Sequence, residues 1–202
     1  MLIVSWRGAS VESAVLAIGL AGSAVIARLK RLGVTTLSFL PLQAKADEPH
    51  LWGTSRTNHW GYSPLAFGVP EPSHGPCRPD PASAPSWAEH LRQGVAQARQ
   101  LRQSLRDMVQ GLHAAGFEVL ADTVFNHTAE GGPEGPAWSW RGLGAGEWYL
   151  WSRGPDGAIL PVDHSGCGQS LQLGHPRVTQ FVLDMLRRWR QELGVDGFRF
   201  DL

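Results

Sequence analysis

Two short apolar segments end in side chains that could carry chemistry, and the later one holds an arginine and an aspartate. In VDGFRFD, residues 195–201, strand alternation puts Arg199 and Asp201 on one face and two phenylalanines on the other. An arginine two residues before an aspartate favours the ionised carboxylate. Asp201 therefore fits a nucleophile or an electrostatic stabiliser, while a structural ion pair at a sheet end fits the same pattern equally well.

The earlier segment, DTVFNH at residues 122–127, supplies three different polar groups: the carboxylate of Asp122, the amide of Asn126 and the imidazole of His127. If both segments are neighbouring parallel strands, their carboxyl ends meet at one edge and these groups join Asp201 there. Together they could hydrogen-bond the hydroxyls of a sugar. A lone histidine would be an incidental loop residue, but a cluster makes that interpretation less favourable.

A third segment, NHWGY at residues 58–62, places Trp60 and Tyr62 on either side of a glycine. Aromatic faces stack on the C–H faces of sugars, and they also simply fill space in loops. Both interpretations fit the residues taken alone.

The elements that must position these groups alternate between helices and strands. Apolar periodicity predicts helices over 23–32, 89–115 and 176–193, and strands over 35–42, 117–125 and 195–201. The segments 43–90 and 126–174 lack periodicity and are predicted as long loops. Because the long loops follow strands and the short turns follow helices, the pattern indicates an α/β fold with parallel strands and a site in the loops after them. A doubly wound sheet and a (β/α)8 barrel both satisfy it.

The amino-terminal apolar run at residues 14–27 has two interpretations. It is shorter than the roughly 20 residues that a membrane span needs. A signal peptide is one possibility, since Arg7 precedes the run. We favour a buried helix that ends at Gly33, because apolar residues recur at helical spacing at Val25, Ile26, Leu29 and Leu32.

The charge and cysteine content narrows the class of partner. Lys and Arg total 18 and Asp and Glu total 18, so the formal net charge is zero and nothing indicates nucleic acid or an anionic membrane. A neutral polymer such as a polysaccharide is compatible with this balance. Cys77 and Cys167 make neither a zinc spacing nor a disulfide framework, and we expect two reduced thiols in a cytoplasmic protein.

Several segments resemble the α-amylase family of glycoside hydrolases. DTVFNHT is similar to the family's D-x-x-x-N-H block, GFRFDL to its G-F-R-x-D block, and HWGYSPLAF to its W-G-Y segment. GPAWSWRG and VDHSGCGQSLQLGHP, with the long helix that follows, resemble the glycogen-debranching and isoamylase branch. The resemblance extends over about residues 21–202, whereas residues 1–20 form an atypical segment.

The resemblance implies a fold and a reaction. The fold would be a (β/α)8 TIM barrel, with residues 21–202 as its first half, truncated after a middle strand. The reaction would be retaining hydrolysis of α-glucosidic bonds, and for this branch debranching at α-1,6 bonds of glycogen-type glucans. The partner would be an α-glucan, with no cofactor. Some relatives use an asparagine like Asn126 near calcium, but we see no acidic ligand set here and expect no metal.

The resemblance also assigns roles residue by residue. Asp201 would be the catalytic nucleophile, with Arg199 keeping it ionised and oriented. The remaining residues would bind substrate or organise the strand ends: His127 by a hydrogen bond to the sugar before the cleaved bond, Tyr62 by stacking on that sugar, Trp60 beside it, and Asp122 and Asn126 within the strand-end network.

The family's general acid and its third carboxylate would both follow Leu202. We therefore expect the 202 residues alone to hydrolyse neither glycogen nor pullulan, and to associate or aggregate through open sheet edges. Two alternatives stay open. One is an inactive glucan-binding or non-functional remnant, and the other is a different α-glucan enzyme, such as a branching enzyme or a trehalose-forming hydrolase.

Overall fold

The computed structural model describes residues 2–4, 22–75 and 86–202 as alternating helices and strands. The described helices are α1 (Gly22–Arg31), α2 (Trp87–Ala114), α3 (Arg141–Trp148) and α4 (Pro176–Arg188). The described strands are β1 (Leu2–Val4), β2 (Thr36–Phe39), β3 (Gln43–Lys45), β4 (Pro64–Pro70), β5 (Glu118–Thr123), β6 (Trp151–Arg153), β7 (Ile159–Pro161) and β8 (Gly197–Phe200). A π-helical turn, Trp189–Leu193, continues α4.

One sheet contains the strands β5 and β8, which carry Asp122 and Arg199. A four-stranded sheet has the order β1-β2-β5-β8, in which β1 pairs parallel with β2 and β2 parallel with β5. Leu37 stands opposite Val119 in this register. Separately, β3 pairs with β4, and β6 and β7 form an antiparallel pair. The α/β class with parallel strands, predicted from the alternation, is confirmed.

The chain forms two compact units. The first takes its described residues from 1–42, 70–121 and 188–198, and the second comprises 43–69, 122–187 and 199–202. Within the first unit, the predicted apolar face of α2 is buried in the core, together with two residues of the π-helical turn. These core residues are Leu101, Leu105, Met108, Val109, Leu112, Trp189 and Leu193.

A second core of aromatic rings belongs to the second unit. Phe67 of β4 stacks on Phe125 at 5.3 Å between ring centroids, and Phe181 of α4 meets Phe67 edge-on at 5.9 Å. Trp140 and Trp148 stack at 3.7 Å and both rings contact Phe181 edge-on. These aromatic rings pack against the loop after β5 and give this loop its own hydrophobic core.

The prediction of two long structureless loops was wrong in part. Residues 43–90 contain β3 and β4, and residues 126–174 contain α3 and the β6–β7 pair. These elements are short, and β4 begins and ends with proline, so neither helical nor strand periodicity has room to develop. The helix predicted from 89 begins at Trp87, where the Ser86 hydroxyl accepts from the Glu89 backbone N–H.

The predicted apolar stripe of the first helix is also corrected. Ile26 and Leu29 pack against the core of the first unit, but Val25 is 55% and Leu32 65% exposed. The helix is therefore only partly buried, and it ends at Gly33 with a φ of 73°, as expected. Most of the apolar run (14–21) and Cys77 lie outside the described residues, so the signal-peptide question is not addressed by the structure.

No described helix combines the length and apolar character required to cross a membrane.

We predict that Leu105→Ala opens the core of the first unit. Leu105 is 1% exposed, and truncating a buried leucine costs about 2–5 kcal/mol through lost burial and the cavity left behind. Amide hydrogen exchange of peptides from α2 and β5, followed by mass spectrometry, should accelerate by at least about tenfold. Leu32→Ala, at an exposed position, is the matched control and should change exchange little. Equal exchange in the two variants would contradict the assignment of this core.

Candidate active site

Four side chains of the second unit meet where β5 and β8 end. We call Tyr62, Asp122, Arg199 and Asp201 the strand-end cluster. Arg199 Nη1 donates to Asp122 Oδ1 at 3.1 Å, to Asp122 Oδ2 at 3.0 Å and to Asp201 Oδ1 at 2.7 Å. The Tyr62 hydroxyl donates to Asp122 Oδ2 at 2.6 Å. One cation thus bridges two carboxylates at the ends of β5 and β8.

The cation and the two carboxylates differ in exposure. The Asp122 side chain is 6% exposed and that of Asp201 15%, against 42% for Arg199. The hydrogen bond to Asp122, and then the charges of both carboxylates, raise the pKa of Arg199, so it remains a cation. Asp122 accepts from both Tyr62 and Arg199. Its carboxylate therefore serves as a hydrogen-bond acceptor in this geometry.

Tyr62 acts as a fixed hydrogen-bond donor. Burial raises the pKa of its phenol above the usual value, and the hydrogen bond to the Asp122 carboxylate raises it further. The hydroxyl therefore keeps its proton at every physiological pH. Its ring is held in place by the same bond.

Hydrogen bonds to the main chain of Asp201 fix the position of this residue. The Asp201 N–H donates to the Thr123 carbonyl at 3.0 Å, and Asn126 Nδ2 donates to the Asp201 carbonyl at 3.1 Å. Thr123 Oγ1 also donates to the Arg199 carbonyl at 3.2 Å. Asn126 therefore organises the strand end by holding the main chain of Asp201.

His127 is buried, and both of its ring nitrogens face protein acceptors. Nε2 lies 2.9 Å from the Tyr62 carbonyl oxygen, and Nδ1 contacts Asn126 Oδ1. Burial lowers the pKa of His127, although the hydrogen bond to Tyr62 and the charge of Asp201 oppose this. A neutral imidazole carries one N–H and can serve only one of the two acceptors at a time. The other contact is therefore weak.

Trp60 presents its ring to solvent beside the cluster. It is 67% exposed, and its ring centroid lies 6.4 Å from that of Tyr62 at an interplanar angle of 58°. Asn58 braces this loop: its Nδ2 donates to the Ala46 carbonyl at 3.0 Å and its Oδ1 accepts from the Gly61 N–H at 2.9 Å. The exposed ring is thus held on an ordered turn.

The structure reveals a buried carboxylate that the sequence analysis did not single out. Glu130 is fully buried, and accepts from the backbone N–H groups of Ser139 at 2.7 Å and Arg141 at 3.0 Å and from the Tyr149 hydroxyl. The Arg141 guanidinium donates to five nearby carbonyls, those of Glu130, Gly131, Gly132, Gly135 and Pro136. We call Glu130, Arg141 and Tyr149 the Glu130 network. It folds the loop that begins with His127.

Among residues 2–4, 22–75 and 86–202, no three His, Cys, Asp or Glu side chains come together as a possible metal site. Asp163, two residues after β7, instead accepts backbone N–H groups of Ser165, Gly166 and Gly168. Burial alone would raise its pKa, but these hydrogen bonds outweigh it and lower the pKa of Asp163. It is a turn-forming carboxylate.

The chain is similar to a segment of curated enzymes. It is 44% identical over 184 residues to a glycogen debranching enzyme of Yersinia pestis bv. Antiqua (strain Angola), and 42% identical over 185 residues to that of Yersinia enterocolitica serotype O:8. Each match takes in 91% of this chain and 24% of the relative. The chain thus spans about a quarter of the length of these curated relatives. No protein-family model matches it.

The chain is also similar to a segment of solved pullulanase structures. A pullulanase from Anoxybacillus sp. LM18-11, complexed with maltotetraose, superposes with a TM-score of 0.64 and 27% identity over 87% of this chain and 22% of that one. Pullulanase type I from Bacillus subtilis str. 168, complexed with maltose, gives 0.61 and 28% over 88% and 21%.

We predict that His127 titrates below the usual histidine range. Its folded pKa is lowered from 6.5, so the unfolded chain binds a proton near pH 6.5 that the folded chain refuses. The free energy of unfolding therefore decreases as the pH drops below 6.5, and the decrease ends when the pH falls below the folded pKa of His127. The ring Cε1–H resonance, identified by its loss in His127→Gln, should show a midpoint below 6.5. A midpoint at or above 6.5 would contradict the buried, neutral ring.

Proposed function

We propose, on the premise that this chain is homologous to a segment of the glycogen debranching enzymes of the α-amylase family, that it carries the nucleophile half of a retaining α-glucan hydrolase. The observation that carries the proposal is the Arg199 ion pair with Asp201 at the end of β8. In this pair the Arg199 guanidinium lies 2.7 Å from Asp201 Oδ1 and orients the carboxylate.

The proposed fold is a partial (β/α)8 barrel over residues 21–202. Supporting it, β2 and β5 pair in parallel, and a long segment follows each of these two strands before the next long helix. Strand-end loops of such barrels carry the catalytic groups. The strand-end cluster gathers at the ends of β5 and β8, which supports this proposal.

The proposed role of Asp201 is attack on the anomeric carbon of the sugar. In a retaining glycosidase one carboxylate forms a covalent glycosyl ester and a second carboxyl group protonates the leaving oxygen. Arg199 engages Asp201 Oδ1, and we propose the other oxygen, Oδ2, as the attacking atom. Asp122 is a poor candidate for the acid, since it only accepts hydrogen bonds. The acid must be another residue.

The proposed sugar site adds three groups. Trp60 offers an exposed indole face and Tyr62 a ring fixed by Asp122. In this proposal His127 exchanges the weaker of its two ring contacts for a hydrogen bond to a sugar hydroxyl, which is the role that the family resemblance implies. Asn126 keeps its structural role through the Asp201 carbonyl.

The proposed substrate is an α-glucan with α-1,6 branch points. The support comes from the relatives: the curated ones are named glycogen debranching enzymes, and the solved ones are pullulanases, some complexed with maltose or maltotetraose. The zero net charge of this chain suits a neutral polymer better than nucleic acid or a membrane surface. A cytoplasmic location belongs to the same proposal.

A substrate that needs no acid tests the nucleophile directly. In α-maltotriosyl fluoride the C–F bond breaks with fluoride leaving as the anion, while the Asp201 carboxylate forms a C–O ester. We expect intact-mass spectrometry to show the chain gaining one maltotriosyl group, and peptide mapping to place the ester on Asp201. Asp201→Asn should form no adduct, because an amide is a poor nucleophile.

Asp184→Asn provides the control. Asp184 is an exposed carboxylate in α4 that pairs with Arg187, so its loss should leave the adduct unchanged. An adduct that persists in Asp201→Asn, or maps to another carboxylate, would contradict the assigned nucleophile. Binding of maltotriose without any adduct in the unaltered chain would favour the alternative of a glucan-binding protein without catalysis.

A further inference from the structure

A pair of exposed tryptophans lies in the loops of the second unit, outside the strand-end cluster. Trp52 is 52% and Trp138 50% exposed, and their ring centroids are 6.0 Å apart at an interplanar angle of 47°. We call them the tryptophan pair. Large apolar rings exposed together are uncommon on loops unless something covers them.

Trp52 is held in place by a bond from its ring. Its Nε1 donates to the Asp47 carbonyl at 2.9 Å. The carboxylate of Asp47 in turn accepts a hydrogen bond from the Asn58 N–H at 2.6 Å. The Trp52 N–H also donates to the Pro49 carbonyl at 3.2 Å. Asn58, which braces the turn that carries Trp60, and Trp52 therefore both donate hydrogen bonds to Asp47.

Trp138 is held by its neighbours in the chain. The next residue, Ser139, donates its backbone N–H to the buried Glu130, and Trp140 stacks on Trp148. The Glu130 network thus fixes the segment on which Trp138 projects. Two separately braced segments, one after β3 and one after β5, bring their indoles together at the surface.

We propose that the tryptophan pair is a second binding surface for an α-glucan chain, separate from the strand-end cluster. Indole faces bind the C–H faces of glucose rings, and preorganised rings bind with little loss of side-chain entropy. Successive glucose units of an α-1,4-linked chain turn relative to one another, so two platforms tilted by 47° suit such a curved chain better than a flat β-linked one. The choice of ligand rests on the proposed function, whereas the surface itself rests on the ring geometry.

The loops give the surface a role. Trp52 is in the same segment as Trp60, and Trp138 is in the segment that begins with His127. A long glucan held by the tryptophan pair is thereby tethered to the protein independently of the sugar at Asp201. Tethering raises the local concentration of chain near the cluster and matters most for long substrates.

Indole N–H signals in a ¹H–¹⁵N spectrum give the test. The chain has 9 tryptophans, so each signal can be assigned by single Trp→Phe replacements. On titration with maltoheptaose we expect the Trp52 and Trp138 signals to shift together. The signal of Trp151, an exposed indole outside the pair, should stay in place. By calorimetry, Trp52→Ala with Trp138→Ala should weaken maltoheptaose binding by about tenfold, whereas Trp151→Ala should not.

Three results would overturn the proposal: unshifted Trp52 and Trp138 signals, unchanged affinity in the double variant, or signals that move with protein concentration rather than sugar, which would mean self-association. Maltotriosyl-ester formation separates this proposal from the proposed function. An ester on Asp201 with unshifted pair signals refutes the second surface alone. Shifted pair signals with no ester support the surface and refute the assigned nucleophile.

Discussion

The Arg199 guanidinium holds together two carboxylates delivered by different strands, and the rest of the candidate site depends on it. Asp122 and Asp201 are both largely withdrawn from water, so without a cation between them their charges would repel in a poorly solvated space. A hydrogen bond to a charged group contributes about 1.5–3 kcal/mol, and the 42% exposure of Arg199 reduces that value here. The arginine bridges these two like charges, because its Nη1 donates to both oxygens of Asp122 and to Oδ1 of Asp201.

Around that arrangement, main-chain bonds and buried loop contacts supply the precision. Thr123 and Asn126 hold both sides of the Asp201 peptide, so the carboxylate starts from a defined point. The Glu130 network folds the following loop from inside. Close backbone approach adds to it: a Cβ on Gly168 would lie 2.8 Å from the Gly131 Cα, so only glycine fits there. The loop that carries Trp138 is therefore held by internal hydrogen bonds and by close backbone packing.

Periodicity made the long elements predictable, and its absence hid the short ones. The buried face of α2 and the glycine stops at Gly33 and Gly194 follow from spacing and backbone chemistry alone. In contrast, a strand of three residues is too short to show the alternation of apolar and polar side chains. Spacing therefore does not distinguish β3 or the β6–β7 pair from a loop. In the site, alternation along β8 predicted that Arg199 faces Asp201. Its grip on Asp122 and the burial of Glu130 depend on partners dozens of residues away or on loop folding, which no local pattern encodes.

In our proposal Arg199 makes Asp201 a competent nucleophile. The rate of ester formation in an Arg199 variant tests this dependence. With α-maltotriosyl fluoride, Arg199→Gln should form the ester at least about tenfold more slowly than the unaltered chain, since a charge-assisted bond is lost. Arg187→Gln removes an exposed arginine that pairs with Asp184 and should leave the rate unchanged. An Arg199→Gln variant that forms the ester at the unaltered rate would contradict the account.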